Sequence, residues 1–227
     1  MPNNVWRLKD RWSWWQAWNA SRPAESLLSI DSFSSGLLAM WIVFIGPPGA
    51  GKGTQCSKLV KSLEVPHLST GDMLRDTERD SPLGKVVASY IDVGRLAPDY
   101  LVMPIVTKRL SESDCQSGCL FDGFPRTVHQ AESLDDYLAQ RQSRIDAVLH
   151  LHVDAEVLLD RLLKRAELQN RKDDNRETIS ARLEVYRTQT APVLQHYRGQ
   201  GNVIEIDGDQ SADQVFDDIL AGLESRK

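Results

Sequence analysis

The sequence has few cysteines, no long apolar run and no excess of positive charge. Its three cysteines, Cys56, Cys115 and Cys119, are too few and too unevenly spaced for a disulfide framework. Its longest apolar run, from Leu37 to Ile45, is too short to cross a bilayer. The net charge is −5 at pH 7, whereas nucleic acids and membrane surfaces select basic proteins. We therefore expect a globular protein in a reducing cytoplasm, without nucleic-acid or membrane partners, in which any anion site is a local concentration of basic residues.

Metal ligands at zinc-binding spacing are also lacking. Cys115 and Cys119 would need two further ligands, and no second Cys or His pair lies near them in the sequence. His150 and His152 share one face of a predicted strand at 147–153, but no third ligand accompanies them. The sequence therefore predicts no zinc site, and it predicts packing or hydrogen bonding for the two histidines.

The chain does contain an apolar run that leads into a glycine-rich turn with a lysine. Trp41–Ile45 is bulky and partly β-branched, which is typical of a strand buried in a parallel sheet. The turn contains four glycines, which let the backbone adopt unusual conformations and approach a bound anion: Gly46, Gly49, Gly51 and Gly53. Lys52 adds a positive charge, and a helix predicted over residues 55–63 would direct its N-terminus at the same anion. The pattern predicts a phosphate site.

The match to the general phosphate-loop pattern has one departure. That pattern has Ser or Thr directly after the lysine, whereas Gly53 stands here before Thr54. A glycine-rich turn that caps some other helix is the alternative interpretation.

A second predicted strand ends in an acid and an arginine. The apolar residues 118–121 lead into Asp122, and Arg126 follows four residues later. Open α/β sheets bind their ligands at the carboxyl ends of the strands. Both side chains are therefore candidates for the site, with capping of the next helix as the alternative role of Asp122.

Four blocks of the sequence resemble the adenylate kinases, which are nucleoside monophosphate kinases. Three of them are Gly-Lys-Gly-Thr at 51–54, Ser-Thr-Gly-Asp-Met-Leu-Arg at 69–75 and Asp-Gly-Phe-Pro-Arg-Thr at 122–127. The fourth is similar to the short form of the adenylate kinase lid, without the insertion that holds zinc in some relatives, and it contains Arg161, Arg165, Arg171 and Arg182. The resemblance extends over residues 40–227.

The resemblance implies an α/β fold. It would be a P-loop nucleoside triphosphate hydrolase-like domain, with a parallel five-stranded sheet flanked by helices, a small helical AMP-binding insertion at 69–98 and a short lid at 165–175. The two segments would close over the substrates and exclude water, a motion for which adenylate kinases are an established example.

The resemblance also implies which residues bind the substrates. Asp72 and Asp122 would bind Mg²⁺ through water, and Gln130 would recognise the adenine amino group of AMP. The implied ATP-binding residues are Gly49, Ala50, Gly51, Lys52, Gly53, Thr54, Arg161, Arg165 and Gln210. The implied AMP-binding residues are Thr70, Arg75, Arg95, Leu96, Ala97, Val102, Gly123, Arg126, Gln130, Arg171 and Arg182. The implied catalytic residues are Lys52, Arg126, Arg161, Arg165, Arg171 and Arg182.

The reaction implied is the interconversion of MgATP and AMP with two ADP, by a monomer. A UMP/CMP kinase is the alternative within the family, although those enzymes usually have Ala where Thr70 stands and Asn near Thr127 and Gln130. A GTPase would need an Asn-Lys-x-Asp motif, which the sequence lacks. A nucleotide-binding regulatory domain without catalysis is the alternative from another class, and the presence of Lys52 and Asp122 argues against it.

Apolar spacing and capping residues predict the remaining elements. One helical segment would begin after an N-cap at Ser69, Thr70 or Asp72 and end at Gly94, and another would begin at its N-cap Asp174 and end near Pro192. The other predicted elements are helices at 99–110, 154–165 and 213–223 and a last strand at 202–208.

The first 39 residues differ in composition from the rest. Five of the six tryptophans lie at or before Trp18, and a serine-rich stretch follows them. We interpret residues 1–39 as an extension that is either a loosely ordered tail or translated sequence upstream of a start at Met40.

We predict that deletion of residues 1–38 leaves folding and turnover nearly unchanged, because the first predicted strand begins after them. Circular dichroism and a coupled assay for ADP would compare the truncated and full chains. An insoluble or inactive truncated protein would contradict this prediction.

Overall fold

The structure is a computed structural model that describes residues 40–63, 65–116, 118–158, 160–162 and 176–226. The predicted extension 1–39 and the predicted lid 165–175, with Arg165, Arg171 and Asp174, lie outside the described residues.

Five parallel strands form one sheet. They are β1 (Trp41–Ile45), β2 (His67–Ser69), β3 (Cys119–Asp122), β4 (Ala147–His152) and β5 (Val203–Asp207). Their order across the sheet is β2-β3-β1-β4-β5, so that β1 lies at the centre between β3 and β4. The predicted parallel five-stranded sheet is confirmed.

The central strand is buried on both faces, as its continuous apolar sequence predicts. Every residue of β1 is buried. Because successive side chains of a strand point to opposite faces, Val43 and Ile45 pack into the core on one face of the sheet, and Ile42 and Phe44 pack into the core on the other. The two cores explain why this strand contains no polar residue.

Helices cover the sheet. They are α1 (Lys52–Leu63), α2 (Thr70–Arg75), α3 (Pro82–Ile91), α4 (Asp99–Leu110), α5 (Val128–Ala139), α6 (Arg176–Val185), α7 (Ala191–Gln200) and α8 (Ala212–Glu224). Residues 155–158 and 160–162 are also helical, and a π-helical turn at Tyr186–Thr190 joins α6 to α7. Among the described residues, no helix combines the length and apolarity needed to cross a bilayer.

The bounds of two predicted helices are wrong, and in each case the error lies at a proline. The segment predicted to be helical as far as Gly94 begins at one of its predicted N-cap residues, Ser69, which accepts from Asp72 N–H. It is two helices, however, because Ser81 caps a new helix at Gly84 N–H and Pro82 begins it. The helix predicted to end near Pro192 continues instead through the π-helical turn into α7, with Pro192 in the first turn, where a missing N–H costs little.

Contacts in the structure distinguish between the alternative roles predicted for Asp122 and for His150. Thr127, and not Asp122, caps α5, since the Thr127 hydroxyl accepts from Gln130 N–H. The ring of His150 hydrogen-bonds Glu205, and its Nε2 lies 3.4 Å from the Tyr186 hydroxyl, which matches the predicted hydrogen-bonding role.

We predict that Leu149→Ala lowers the free energy of unfolding by about 2–5 kcal/mol, because Leu149 is fully buried between β1 and β5 and its truncation leaves a cavity. Leu83→Ala is the matched control on an exposed side chain of α3, and we expect a change within about 0.5 kcal/mol. Urea unfolding of both variants measures the difference, and equal losses would contradict the packing described above.

Candidate active site

A cleft of about 910 Å³ opens at the carboxyl ends of the strands. Parallel strands bring these ends to one edge of the sheet, so that the loops after β1, β2 and β3 meet there. Within the described part of the chain, every residue predicted to bind ATP, AMP or magnesium lines this cleft: Gly49, Ala50, Gly51, Lys52, Gly53, Thr54, Thr70, Asp72, Arg75, Arg95, Leu96, Ala97, Val102, Asp122, Gly123, Arg126, Gln130, Arg161, Arg182 and Gln210.

The loop between β1 and α1 is shaped by two glycines with positive φ. Gly49 has φ +83° and Gly51 has φ +102°, in a region that other residues rarely adopt. A Cβ atom on Gly49 would also lie 2.7 Å from Cγ of Leu162. Both positions therefore require glycine in this loop.

The prediction that all four glycines need unusual backbone conformations is wrong for the other two. Gly46 is required by crowding instead, since a Cβ there would lie 2.9 Å from the Leu151 carbonyl oxygen. A Cβ added to Gly53 would meet no atom within 4 Å. Because Gly53 lines the open cleft, a side chain there would extend into the space that a ligand needs.

Lys52 is the first residue of α1 and holds the loop together. Its ammonium group donates to the carbonyl oxygens of Gly46, at 2.7 Å, and of Pro47, at 2.9 Å. The positive end of the α1 dipole and the first N–H groups of that helix lie beside it. Loop, lysine and helix N-terminus together form a site suited to phosphate.

Asp122 lies at the end of β3, beside the lysine. Burial by itself would raise the pKa of Asp122, but the His67 ring, whose Nε2 lies 3.6 Å from a carboxylate oxygen, and the positive Lys52 outweigh burial and lower that pKa. The carboxylate is therefore ionised at neutral pH and is a hard oxygen ligand of the kind that magnesium prefers.

One group of three potential metal ligands occurs among the described residues. Ligand atoms of Cys56, His67 and Asp122 all lie within 4.8 Å of one another. Burial, followed by the negative charge of Asp122, raises the pKa of the Cys56 thiol, so this sulfur stays protonated and only Asp122 offers a ligand suited to magnesium.

Three arginines that line the cleft, Arg75, Arg126 and Arg182, are close enough to interact electrostatically. Arg126 donates from Nε to the Gly123 carbonyl oxygen at 2.7 Å. Desolvation lowers the pKa of Arg126, the Asp122 carboxylate raises it, and the like charges of Arg182 and Arg75 add smaller effects that lower it. An arginine remains protonated despite such a shift, so three positive charges line the cleft and suit an anion.

The cleft differs in charge from the protein as a whole. Its described lining contains six basic residues, Lys52, Arg75, Arg95, Arg126, Arg161 and Arg182, and two acidic ones, Asp72 and Asp122. The chain has a net charge of −5. This is the local concentration of positive charge that an anion site in an acidic protein requires.

Two residues predicted to bind AMP, Thr70 and Gln130, form hydrogen bonds with the turn that follows β3. The Thr70 hydroxyl donates to the Gly123 carbonyl oxygen at 2.7 Å. Gln130 is buried, accepts from Arg126 N–H at 2.8 Å through Oε1 and donates from Nε2 to Asp99 at 2.7 Å. Asp99 does not line the cleft in the described structure, and the sequence analysis did not identify it.

Four further predicted residues have partners within the protein. Arg75 pairs with Asp72 at 2.6 Å on one turn of α2. Arg161 lies 3.4 Å from the Ala50 carbonyl oxygen, which connects it to the glycine-rich loop. Gln210 donates to Asp218 at 2.8 Å. Arg165 and Arg171 belong to the segment outside the described residues.

Several residues that line the cleft were missed by the sequence analysis. One of them, Gln55, is a buried polar residue of α1, whereas most of the others are small or apolar, among them Leu74, Ile91, Gly208 and Val215. Such residues have no chemical signature of their own, and only their position after a strand or on a helix face brings them to the cleft. Gly208, directly after β5, could have been found from the rule that strand ends border the site.

Comparison with known proteins identifies the family. A sequence profile of the family described as Adenylate kinase matches residues 44–202. The chain is 51% identical over 184 residues to the adenylate kinase of Rhodopirellula baltica, covering 81% of this chain and 95% of that protein. It is 49% identical over 175 residues to the adenylate kinase of a Cyanothece species, covering 77% and 90%, and 40% identical over 215 residues to that of a Thermoanaerobacter species, covering 82% and 99%.

The profile spans most of the chain, and the relatives align over nearly their whole length. Residues of the blocks at 51–54, 69–75 and 122–127 line the cleft, together with Arg161 and Arg182 of the fourth block. The chain therefore belongs to the adenylate kinase family of phosphotransferase enzymes.

Proposed function

We propose that the chain catalyses the reversible transfer of a phosphoryl group from MgATP to AMP, which yields two ADP. The observation that carries the proposal is the arrangement of the cleft. The glycine-rich loop with Lys52, the pair Thr70 and Gln130, and the arginines Arg126 and Arg182 all line one cleft. The turn after β3 connects them, since Asp122 lies beside Lys52, and Arg126 and Gly123 hydrogen-bond to Gln130 and Thr70. Two phosphate-bearing substrates would meet at the arginines.

The chemistry requires positioning and charge neutralisation. A phosphate oxygen of AMP is already an anionic nucleophile, so no general base is needed. Lys52, Arg126, Arg161 and Arg182 would stabilise the charge on the transferred phosphoryl group, because guanidinium groups bind phosphate oxygens bidentately and stay charged. Arg165 and Arg171, in the proposed short lid at 165–175, would complete this set.

Asp122 is the residue that best fits a role with magnesium. Its carboxylate is ionised, lies close to Lys52 and lines the cleft. Magnesium retains several waters in protein sites, so Asp122 would bind it through water and orient it beside the ATP phosphates. Asp72 is more exposed and is paired with Arg75, which makes it the weaker candidate for this role.

The AMP end of the cleft is proposed to recognise adenine. The insertion at 69–98 supplies Thr70, Arg75, Arg95, Leu96 and Ala97, and Val102 of α4 adds apolar surface for the base. Gln130 supplies an amide whose donor and acceptor suit the adenine edge. Uracil presents the reverse pattern, an N3 donor and an O4 acceptor. The N3 and N4 groups of cytosine have the pattern of adenine but lie closer to the ribose, so both pyrimidines fit this position less well, which disfavours the UMP/CMP kinase alternative.

We further infer that the enzyme acts as a monomer in the cytoplasm. Residues of one chain line the whole described cleft, so no second copy is needed to build it. The three cysteines are free and buried, which is compatible with a reducing compartment.

A coupled assay for ADP tests the proposed function directly. The full chain would be supplied with ATP and, in parallel, with AMP, UMP or CMP, each with and without Mg²⁺. We expect magnesium-dependent turnover with AMP and a kcat/KM for AMP about two orders of magnitude above that for UMP and CMP. No turnover with any acceptor would favour the regulatory-domain alternative, and turnover with UMP equal to that with AMP would favour the UMP/CMP kinase.

We predict that Lys52→Met lowers kcat by about 100-fold or more, because the ammonium charge acts mainly on the transition state. Lys61→Met is the matched control, since Lys61 is exposed near the other end of α1. Steady-state kinetics and melting temperatures of both variants give the comparison. Near-normal turnover in a folded Lys52→Met protein would rule out the proposed role.

We predict that Gln130→Leu raises KM for AMP far more than it lowers kcat, because a contact to the base is equally strong in the ground and transition states. The loss of AMP preference over UMP should be about ten-fold or more, given the usual cost of an unpaired buried polar group. Parallel kinetics with AMP and UMP measure it. A variant that kept the wild-type preference would show that Gln130 does not recognise adenine.

A further inference from the structure

The side-chain amide of Gln130 is held from two sides. Gln130 is 2% exposed, and it lines the cleft at the proposed AMP end. Its Oε1 accepts from the backbone N–H of Arg126 at 2.8 Å, and its Nε2 donates to a carboxylate oxygen of Asp99 at 2.7 Å. Within the described part of the chain, these are the hydrogen bonds of the amide.

These two partners determine which way the amide faces. A backbone N–H can only donate, so the atom facing Arg126 must be the amide oxygen. An ionised carboxylate can only accept, so the atom facing Asp99 must be the amide nitrogen. The reversed orientation would place two donors against each other at Arg126 and two acceptors against each other at Asp99.

The fixed amide has a defined hydrogen-bonding capacity left for a ligand. An amide nitrogen has two hydrogens and an amide oxygen has two lone pairs. Asp99 and Arg126 use one of each, which leaves one donor and one acceptor. Adenine offers a complementary edge, with the N1 acceptor and the N6 amino donor. Hypoxanthine and guanine reverse the pattern, with an N1 donor and an O6 acceptor.

We propose that Asp99 is a positioning residue that holds the Gln130 amide in the orientation that accepts adenine and excludes 6-oxopurines. The proposal rests on the proposed function, in which Gln130 contacts the base of AMP. Asp99 acts through Gln130 and does not touch the substrate. It is the first residue of α4, and its second carboxylate oxygen lies 2.9 Å from Nδ1 of His129, which keeps the carboxylate directed at the start of α5.

Two variants of Asp99 separate this role from a structural one. Both Asp99→Leu and Asp99→Asn remove a negative charge from the first turn of α4, so any loss of helix stability from the charge is shared. Asp99→Asn can still present an oxygen to Gln130 Nε2, whereas Asp99→Leu cannot. The asparagine variant is thus the matched control for the loss of charge.

The experiment compares AMP and IMP as phosphoryl acceptors. IMP has the 6-oxo edge of guanine without its 2-amino group, so the two substrates differ little in size. We expect Asp99→Leu to lower the ratio of kcat/KM for AMP to that for IMP by about ten-fold or more, mainly through KM, because one of the two constraints on the amide is lost. Asp99→Asn should retain most of the wild-type ratio. Isothermal titration with AMP and IMP gives the same comparison for binding alone.

A double-mutant cycle with Gln130→Leu tests whether Asp99 acts through Gln130. If it does, adding Asp99→Leu to the Gln130→Leu variant should not change the AMP to IMP ratio further. An unchanged ratio in Asp99→Leu alone, an equal loss in Asp99→Asn, or an undiminished effect of Asp99→Leu without Gln130 would each overturn the proposal. Failure of the proposed function gives a different result, because the wild type would then show no turnover with AMP.

Discussion

The pairing of β1 with β3 and β4 is the constraint on which the rest of the structure depends. Both neighbours run parallel to β1, so the glycine-rich loop after Ile45 and the turn after Asp122 must emerge at the same edge of the sheet. The buried apolar side chains of β1 fix this register, since a slip by one residue would exchange the two faces of the strand. The distance between Lys52 and Asp122 is therefore a consequence of core packing.

The cleft shows how an acidic protein concentrates positive charge. Arg75, Arg126 and Arg182 lie near one another, so their like charges repel, although Asp122 acts on Arg126 in the opposite sense and Asp72 pairs with Arg75. Core packing and hydrogen bonds such as Arg126 Nε to Gly123 keep them in place in spite of that repulsion. An anion that binds among them therefore meets positive charges that the fold already holds in place.

Much of this arrangement could be predicted from the sequence, for identifiable physical reasons. The strand at Trp41–Ile45 and the helix at Asp99–Leu110 have the predicted bounds, because an unbroken apolar run and a regular apolar stripe each have one favourable packing. The helix start at Ser81 and the continuation of the helix past Pro192 were mispredicted. A proline can either begin a helix or follow one, and tertiary contacts decide which. Asp99 could not be found, because its role comes from a contact with Gln130 at 31 residues' separation.

The hydrogen bond between Gln130 and the backbone of Arg126 joins two kinds of recognition. Under the proposed function, Gln130 contacts the base and Arg126 contacts the phosphate, and the two residues lie four positions apart at the start of α5 with a direct hydrogen bond between them. The groups that contact the base and the phosphate therefore belong to one hydrogen-bonded segment, so the distance between them is fixed. Such a site selects a ligand by the distance between its base and its phosphate, as well as by the chemistry of each group. A nucleotide with the right base but with its phosphate on another ribose hydroxyl would make the base contact at Gln130 and lose the phosphate contact at Arg126.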